Sequence, residues 1–155
     1  MKHDVDDLDE TYGKCVATGN IREKSSVDME LIRSLRLLAE KSLEFIKRKS
    51  KDIKRDSTDW TFVFRDYYDA LRALIDAYLL FDKISADNHQ CNNACLCIKH
   101  PELGMDWEFL ETVRLRRNYL NYRGLMLTYD DWDRFKVNFE LHLQKLMKEI
   151  DKKSK

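Results

Sequence analysis

Residues 60–81 constrain the fold more than any other part of this sequence. Large apolar residues recur there at alternating steps of four and three, the spacing that lines one face of an α-helix; they are Trp60, Phe64, Tyr67, Leu71, Leu74, Tyr78 and Phe81. A second flank widens this face and consists of Val63, Tyr68, Ile75 and Leu79. A helix that is apolar over so much of its circumference needs cover on several sides, so we predict that it lies in the middle of a helical bundle.

The remaining sequence also predicts helices. They cover residues 5–17, 27–49, 87–99 and 106–123, and a last one starts near Tyr129. Gly19 and Gly124 are suited to end two of them, and Ser25 or Ser26 is suited to start the helix over 27–49. Within that helix, one face carries Leu31, Leu35, Leu38, Ser42 and Phe45.

No segment shows the period-two alternation of a strand. The predicted fold is therefore all-α, an antiparallel up-and-down bundle of four to six helices. We expect one domain over residues 1–155, with a weak helix and loop over 1–24 and a frayed tail over 152–155.

Charge and hydropathy narrow the class of protein. The 28 basic and 28 acidic side chains cancel, which gives no global attraction to nucleic acid or membrane. The acidic N-terminus lacks an apolar leader, and no apolar run approaches the ~18 residues of a membrane span. We expect a cytoplasmic protein whose cysteines stay reduced. The basic run at residues 47–55 is either a solvated helix end or a phosphate-binding patch.

The helix over 106–123 carries arginine where its neighbours carry apolar residues. A helical wheel groups its apolar side chains within an arc of about 100°; they are Phe109, Leu110, Val113 and Leu120. Arg117 falls inside this arc. Asn121 and Arg114 lie beside its edge, and Asn118 and Tyr122 follow.

Burying a guanidinium costs several kcal/mol unless an anion meets it, because arginine does not lose its proton. Arg117 therefore needs a negative partner. One possibility is an internal ion pair with Asp66, Asp69 or Asp76; the others are a second subunit, or a phosphate or carboxylate of a ligand.

Two segments resemble the HEPN domain, a family of helical proteins. They are FRDYYDALRALIDAYLLFDKISADNHQ, residues 64–90, and RLRRNYLNYRG, residues 114–124. The resemblance spans roughly residues 26–150. It implies a helical fold that commonly dimerises, and a metal-independent ribonuclease that often pairs as a toxin with a nucleotidyltransferase antitoxin. In that family, an arginine neutralises the phosphate and a histidine four to six residues later transfers a proton.

This sequence has Tyr122 at the position of the expected catalytic histidine. A phenol stays protonated at neutral pH and is a poor general base. The resemblance therefore implies binding of RNA or a nucleotide, without a cofactor and with weak or no nuclease activity. The expected ligand-binding residues are Arg114, Arg117, Asn118, Asn121 and Arg123. The candidates for any remaining catalysis are Arg117, Tyr122 and His89, the last as a substitute base.

Two alternatives stay open. One is a dimeric adaptor that docks a partner protein such as a nucleotidyltransferase, with its arginines in structural ion pairs. The other is an active metal-independent ribonuclease.

Three cysteines between two histidines raise the question of a metal site. Cys91 and Cys95 share a helix face, and Cys97 lies close by. Their spacing differs from the common Cys-x2-Cys zinc knuckle, and buried cysteine often serves as a small apolar residue. We therefore expect core packing and no metal.

Overall fold

A computed structural model describes residues 5–155, which form six α-helices and two short strands. In chain order the elements are α1 (Leu8–Ala17), β1 (Ile21–Glu23), α2 (Met29–Ser50), α3 (Trp60–Leu80), β2 (Ile84–Ala86), α4 (His89–Lys99), α5 (Trp107–Arg123) and α6 (Tyr129–Lys153). A 3-10 turn over Pro101–Leu103 separates α4 from α5. The prediction of an all-α helical bundle is confirmed.

Helix α3 is the centre of the bundle, as its wide apolar face predicts. It packs against α2, α4, α5 and α6, and 15 of its 21 residues are buried. Aromatic side chains fill the contact with α6: Phe64 lies edge-on to Phe135 and Phe139, with ring centroids 5.4 and 5.5 Å apart. Edge-to-face rings of this kind add to the stability that burial of their area provides.

Ion pairs and ring contacts fix the directions of the long helices. Arg36 pairs with Asp151 and Lys47 with Glu140, so α2 runs antiparallel to α6. Helix α3 runs in the same direction as α6, because Trp60 meets Tyr129 at one end and Lys153 lies over Tyr78 at the other. The chain makes this return along α5, because α4 runs in the direction of α3, with His89 beside Tyr68 at its start and His100 beside Asp82 at its end.

The two strands correct the prediction that the chain has none. β1 and β2 pair antiparallel, with Ile21 opposite Ala86 and Glu23 opposite Ile84. Three residues are too few to show a period of two in the sequence. The pairing joins the loop after α1 to the loop after α3 and so ties the N-terminal segment to the bundle.

The apolar row predicted on α2 is not the row that packs into the core. The buried residues of α2 are Ile32, Ala39, Leu43 and Ile46. Leu31, Leu38 and Phe45 are exposed. The N-cap of α2 is also Asp28 and not Ser25 or Ser26, since its carboxylate accepts a hydrogen bond from the Leu31 amide at 3.0 Å.

Both chain ends hold regular structure close to the limits of the described residues. α1 begins at Leu8, with Asp7 as its N-cap, and not at residue 5. Gly19 has a φ of +72° after the helix end, and Gly124 caps α5 with a φ of +59°, so both glycines act as predicted. α6 continues through Lys153, into the tail that was expected to fray. Residues 1–4 lie outside the described part of the chain.

A disulfide joins Cys15 of α1 to Cys91 of α4, which corrects the expectation that all four cysteines stay reduced. Cys95 and Cys97 are free and buried in the core. No local sequence pattern predicts this pairing, because 76 residues separate the two cysteines.

Among residues 5–155, we find no helix with the length and apolarity needed to cross a membrane.

Candidate functional site

A polar cleft lies where the N-terminus of α4 meets the C-terminal half of α5. It has a volume of about 370 Å³, and its lining residues are Asn88, His89, Gln90, Arg114, Asn118, Asn121 and Tyr122. Asn88 caps α4 by accepting a hydrogen bond from the Cys91 amide at 2.8 Å, which fixes this wall of the cleft. The fold brings five predicted site residues together here, although His89 is distant from the others in sequence.

Arg114 is held by a carboxylate that the sequence analysis did not identify. Glu111 is only 1% exposed. Its two oxygens accept hydrogen bonds from Nε and Nη2 of Arg114, both at 2.9 Å. Gln90 and Asn93 of α4 each donate one further hydrogen bond to Glu111 at 3.0 Å. Arg114 thus has a structural partner that neutralises its charge and joins α5 to α4.

Arg117 faces inward only in part. Its side chain is 17% exposed, and its Nε lies 3.6 Å from Oδ1 of Asp69 on α3. This is an ion-pair distance, but it is too long for a hydrogen bond, and Nε is buried with no acceptor among the described residues. Nη1 donates to the side-chain oxygen of Asn121. The predicted pairing with an aspartate of α3 is therefore present, and its partner is the half-exposed Asp69.

Arg116 is the most buried arginine of α5, and the sequence analysis did not single it out. It is 8% exposed. Its guanidinium carbon lies 5.9 Å from the ring centroid of Phe135, and its Nε has no hydrogen-bond acceptor among residues 5–155. A helical wheel does predict that Arg116 is buried, since it lies about 20° from the direction of the buried Phe109. It packs towards α6, whereas the cleft faces α4.

His89 lies near the arginines, and its burial is the main reason that it stays neutral. Burial, followed by the charges of Arg72, Arg114 and Arg117, lowers its pKa to about 4. Its Nδ1 lies 2.7 Å from the hydroxyl of Tyr68. A neutral imidazole can accept or donate a hydrogen bond at this site, but so low a pKa makes it a weak base at neutral pH.

Tyr122 and Arg123 lie at the open end of α5. Tyr122 is 85% exposed, so its ring is free to meet a ligand at the rim of the cleft. Arg123 is exposed, and its guanidinium stacks over the ring of Tyr119 at 4.8 Å. Asn118 is half-buried, and Asn121 is exposed beside Arg117.

A second cluster of polar side chains lies between α3 and α4 and consists of Arg72, Asp76 and Asn92. Asn92 donates to Oδ1 of Asp76 at 2.9 Å, and Arg72 lies 3.9 Å from the other oxygen. Burial raises the pKa of Asp76 to about 6, and the charge of Arg72 opposes that rise. Asp76 was one of the three predicted partners for Arg117, and it pairs with Arg72 instead.

The cysteine cluster does not form a metal centre in the described chain. Cys91 is in the disulfide with Cys15, and burial raises the pKa of the Cys95 and Cys97 thiols. Across residues 5–155, no group of three or more histidine, cysteine or acidic side chains is arranged to hold a metal ion.

No protein-family model, curated protein or solved structure matches this chain. The HEPN resemblance therefore stays a prediction, and the geometry of the cleft carries the functional argument.

Proposed function

We propose that the cleft between α4 and α5 binds the phosphate of an RNA or a nucleotide, in a HEPN-like domain with weak or no ribonuclease activity. The observation that supports this most is that a single cleft is lined by five of the seven residues predicted for the site, namely His89, Arg114, Asn118, Asn121 and Tyr122. These residues come from two helices that are separate in sequence.

The chemistry of the lining suits a nucleotide. Guanidinium groups and side-chain amides donate hydrogen bonds to phosphate oxygens. Arg117 is not one of the lining residues, but it lies at the margin of the cleft, where it donates a hydrogen bond to the lining residue Asn121. It is the available cation there, because its ion pair with the half-exposed Asp69 is long and its Nε has no hydrogen-bond acceptor among the described residues. The exposed ring of Tyr122 offers a face on which a base can stack.

The same geometry argues against efficient RNA cleavage. Proton transfer from a ribose hydroxyl needs a base whose pKa lies near the working pH. His89 has a pKa of about 4, and its Nδ1 is already engaged with Tyr68. Tyr122 replaces the histidine that the family places after its arginine. We therefore expect binding without rapid turnover.

A fluorescently labelled single-stranded RNA and a labelled nucleotide test this proposal by anisotropy at several salt concentrations. Arg117→Ala should weaken binding about tenfold and lower the slope of log affinity against log salt by about 0.7, the value for one lost phosphate contact. Arg33→Ala is the matched control: this exposed arginine of α2 lines a different groove, between α2 and α6, and its loss should change neither value.

Equal losses in both variants, or no binding of either probe by the wild-type protein, would contradict the proposal. Cleavage of the RNA in the presence of a chelator, abolished by His89→Ala, would overturn the part that concerns nuclease activity.

The adaptor function has one observation in its favour. Arg114 and Arg117 both have acidic partners inside the protein, Glu111 and Asp69, as a purely structural arginine would. If no anion binds and Arg117→Ala changes only the melting temperature, the adaptor becomes the better proposal. A nucleotidyltransferase partner and a place in a toxin–antitoxin or defence system stay predictions of the family resemblance.

A further inference from the structure

Helix α2 leaves a row of large apolar side chains uncovered. Leu31, Leu38 and Phe45 lie seven residues apart and are 37%, 58% and 50% exposed. Leu35 and Ser42 complete the row and are half-buried. We call these five residues the α2 seam. Exposed apolar residues scattered singly need no explanation, but a continuous row of them indicates a surface that another protein covers.

The seam has the period of a coiled coil. Its alternating steps of four and three give a mean period of 3.5 residues, as in the apolar seam between two paired helices. The residues by which α2 joins its own core lie on average about 90° around the helix; they are Ile32, Ala39, Leu43 and Ile46. A second helix can therefore cover the seam without displacing any core contact.

The charges along α2 favour an antiparallel copy of the same helix as the occupant. Asp28 and Glu30 stand at its N-terminal end, and Arg48 and Lys49 at its C-terminal end, where Lys47 is already paired with Glu140. In a parallel pair, the basic ends of the two copies would meet and repel. In an antiparallel pair, each acidic end meets a basic end, and the two helix dipoles also oppose each other favourably.

The spacing of the seam sets the register of such a pair. With Leu38 opposite Leu38 of the second copy, Leu31 lies opposite Phe45 of that copy. A groove of about 250 Å³ lies beside this end of the seam, and part of its wall is apolar, formed by Leu31, Leu35, Leu80 and Ile84. The ring of Phe45 from the second copy has a partly apolar recess to enter there.

We propose that the α2 seam is the interface of a homodimer in which two α2 helices pack antiparallel about a two-fold axis at Leu38. The contact is isologous, so each copy supplies the same row and the interface closes after two chains. This dimer is independent of the anion binding proposed for the cleft.

Sedimentation equilibrium of the purified chain, at concentrations up to about 100 µM, tests the dimer. The wild-type protein should be dimeric. Leu38→Glu should raise the dissociation constant at least about a hundredfold, because both copies lose a buried leucine and gain facing charges. Leu141→Glu is the control, since Leu141 is 59% exposed on α6, outside the seam. A monomeric wild-type protein, or a Leu38→Glu variant that stays dimeric, would overturn the proposal.

Circular dichroism shows whether the two variants still fold. Leu38 is too exposed for its replacement to unfold the chain. Both variants should keep the helical spectrum, and their melting temperatures should match that of the wild-type protein at a concentration low enough to dissociate its dimer.

Cysteine crosslinking tests the orientation. In the proposed register, Ser34 and Lys41 lie on the same edge of the helix pair, and Lys41 of the second copy is within one residue of the position directly opposite Ser34. Mild oxidation of a mixture of Ser34→Cys and Lys41→Cys chains should link one chain of each kind, whereas each variant alone should give no dimer beyond the wild-type background. Self-linking of either variant alone, or no linking in the mixture, would refute the antiparallel arrangement.

Discussion

Replacing Glu111 with glutamine tests the polar network that joins α4 to α5. The carboxylate is almost fully buried and accepts four hydrogen bonds, two from Arg114 and one each from Gln90 and Asn93. Glutamine has the same shape, but one of its two terminal groups is an NH₂ that donates. In either orientation of the glutamine amide, its NH₂ group faces two donors, one from Arg114 and one from Gln90 or Asn93.

The magnitude follows from what is lost. One hydrogen bond from Arg114 is charge-assisted and contributes about 1.5–3 kcal/mol, and one from a neutral amide contributes about 1 kcal/mol. Arg114 also loses its counter-charge, although its side chain is 16% exposed and water reduces that cost. We expect Glu111→Gln to lower the free energy of unfolding by about 3 kcal/mol.

Urea denaturation followed by circular dichroism measures this change. Glu108→Gln is the control, since Glu108 is exposed in the first turn of the same helix. Its loss should cost no more than about 0.5 kcal/mol. A double-mutant cycle with Arg114→Met should give a coupling of about 2 kcal/mol. If Glu111→Gln costs no more than Glu108→Gln, or if the coupling is zero, the network does not stabilise the fold as described.

Two further predictions concern Asp76 and the disulfide. Burial raises the pKa of Asp76 from its ordinary value of 3.8 to about 6. Between these two pH values the folded state holds a proton that the unfolded state has lost. The contribution of Asp76 to the stability of the wild-type protein therefore falls as the pH rises from about 4 to about 6. Asp76→Asn, which keeps an acceptor for Asn92, should therefore stabilise the protein by about 1–2 kcal/mol at pH 7 and not at pH 4, as measured by urea denaturation at both values; destabilisation at pH 7 would contradict the assignment. Cys15→Ser opens a loop of 76 residues and should cost up to about 4 kcal/mol, and dithiothreitol should lower the melting temperature of the wild-type protein but not of this variant; an unchanged wild-type melting temperature would contradict a stabilising bridge.

Sequence patterns predict α3 well because one physical requirement dominates it. Its apolar residues cover so much of the helix that only a central position can bury them. Helix α2 is different, since it has apolar residues on two neighbouring faces, and the pattern does not say which face meets the same chain. The row with the more regular spacing, through Leu31, Leu38 and Phe45, is the exposed one.

The candidate site is predictable in composition but not in pairing. The wheel identifies α5 as a helix with arginine near its buried face, and the cleft includes most of the residues selected from it. The role of Glu111 depends on Gln90 and Asn93 of another helix, and the disulfide joins α1 to α4. These partners are distant in sequence, so they become visible only when the helices are placed in space.

Arg114, which lines the cleft, and Arg117, at its margin, have different acidic partners and therefore different roles in binding a ligand. A ligand phosphate that drew Arg114 away would leave Glu111 as an unpaired buried carboxylate, at a cost of about 3–5 kcal/mol. The same phosphate gains Arg117 by displacing the half-exposed Asp69, whose long ion pair contributes no more than about 1 kcal/mol. Arg117 is therefore the arginine that a ligand can engage at low cost, and Arg114 holds the wall beside it in position. Of the three predicted arginines, Arg117 and the exposed Arg123 are then left to contact phosphates from the margin of the cleft. The salt dependence of binding should therefore correspond to one or two contacts, a slope of about 0.7–1.4 for single-stranded RNA.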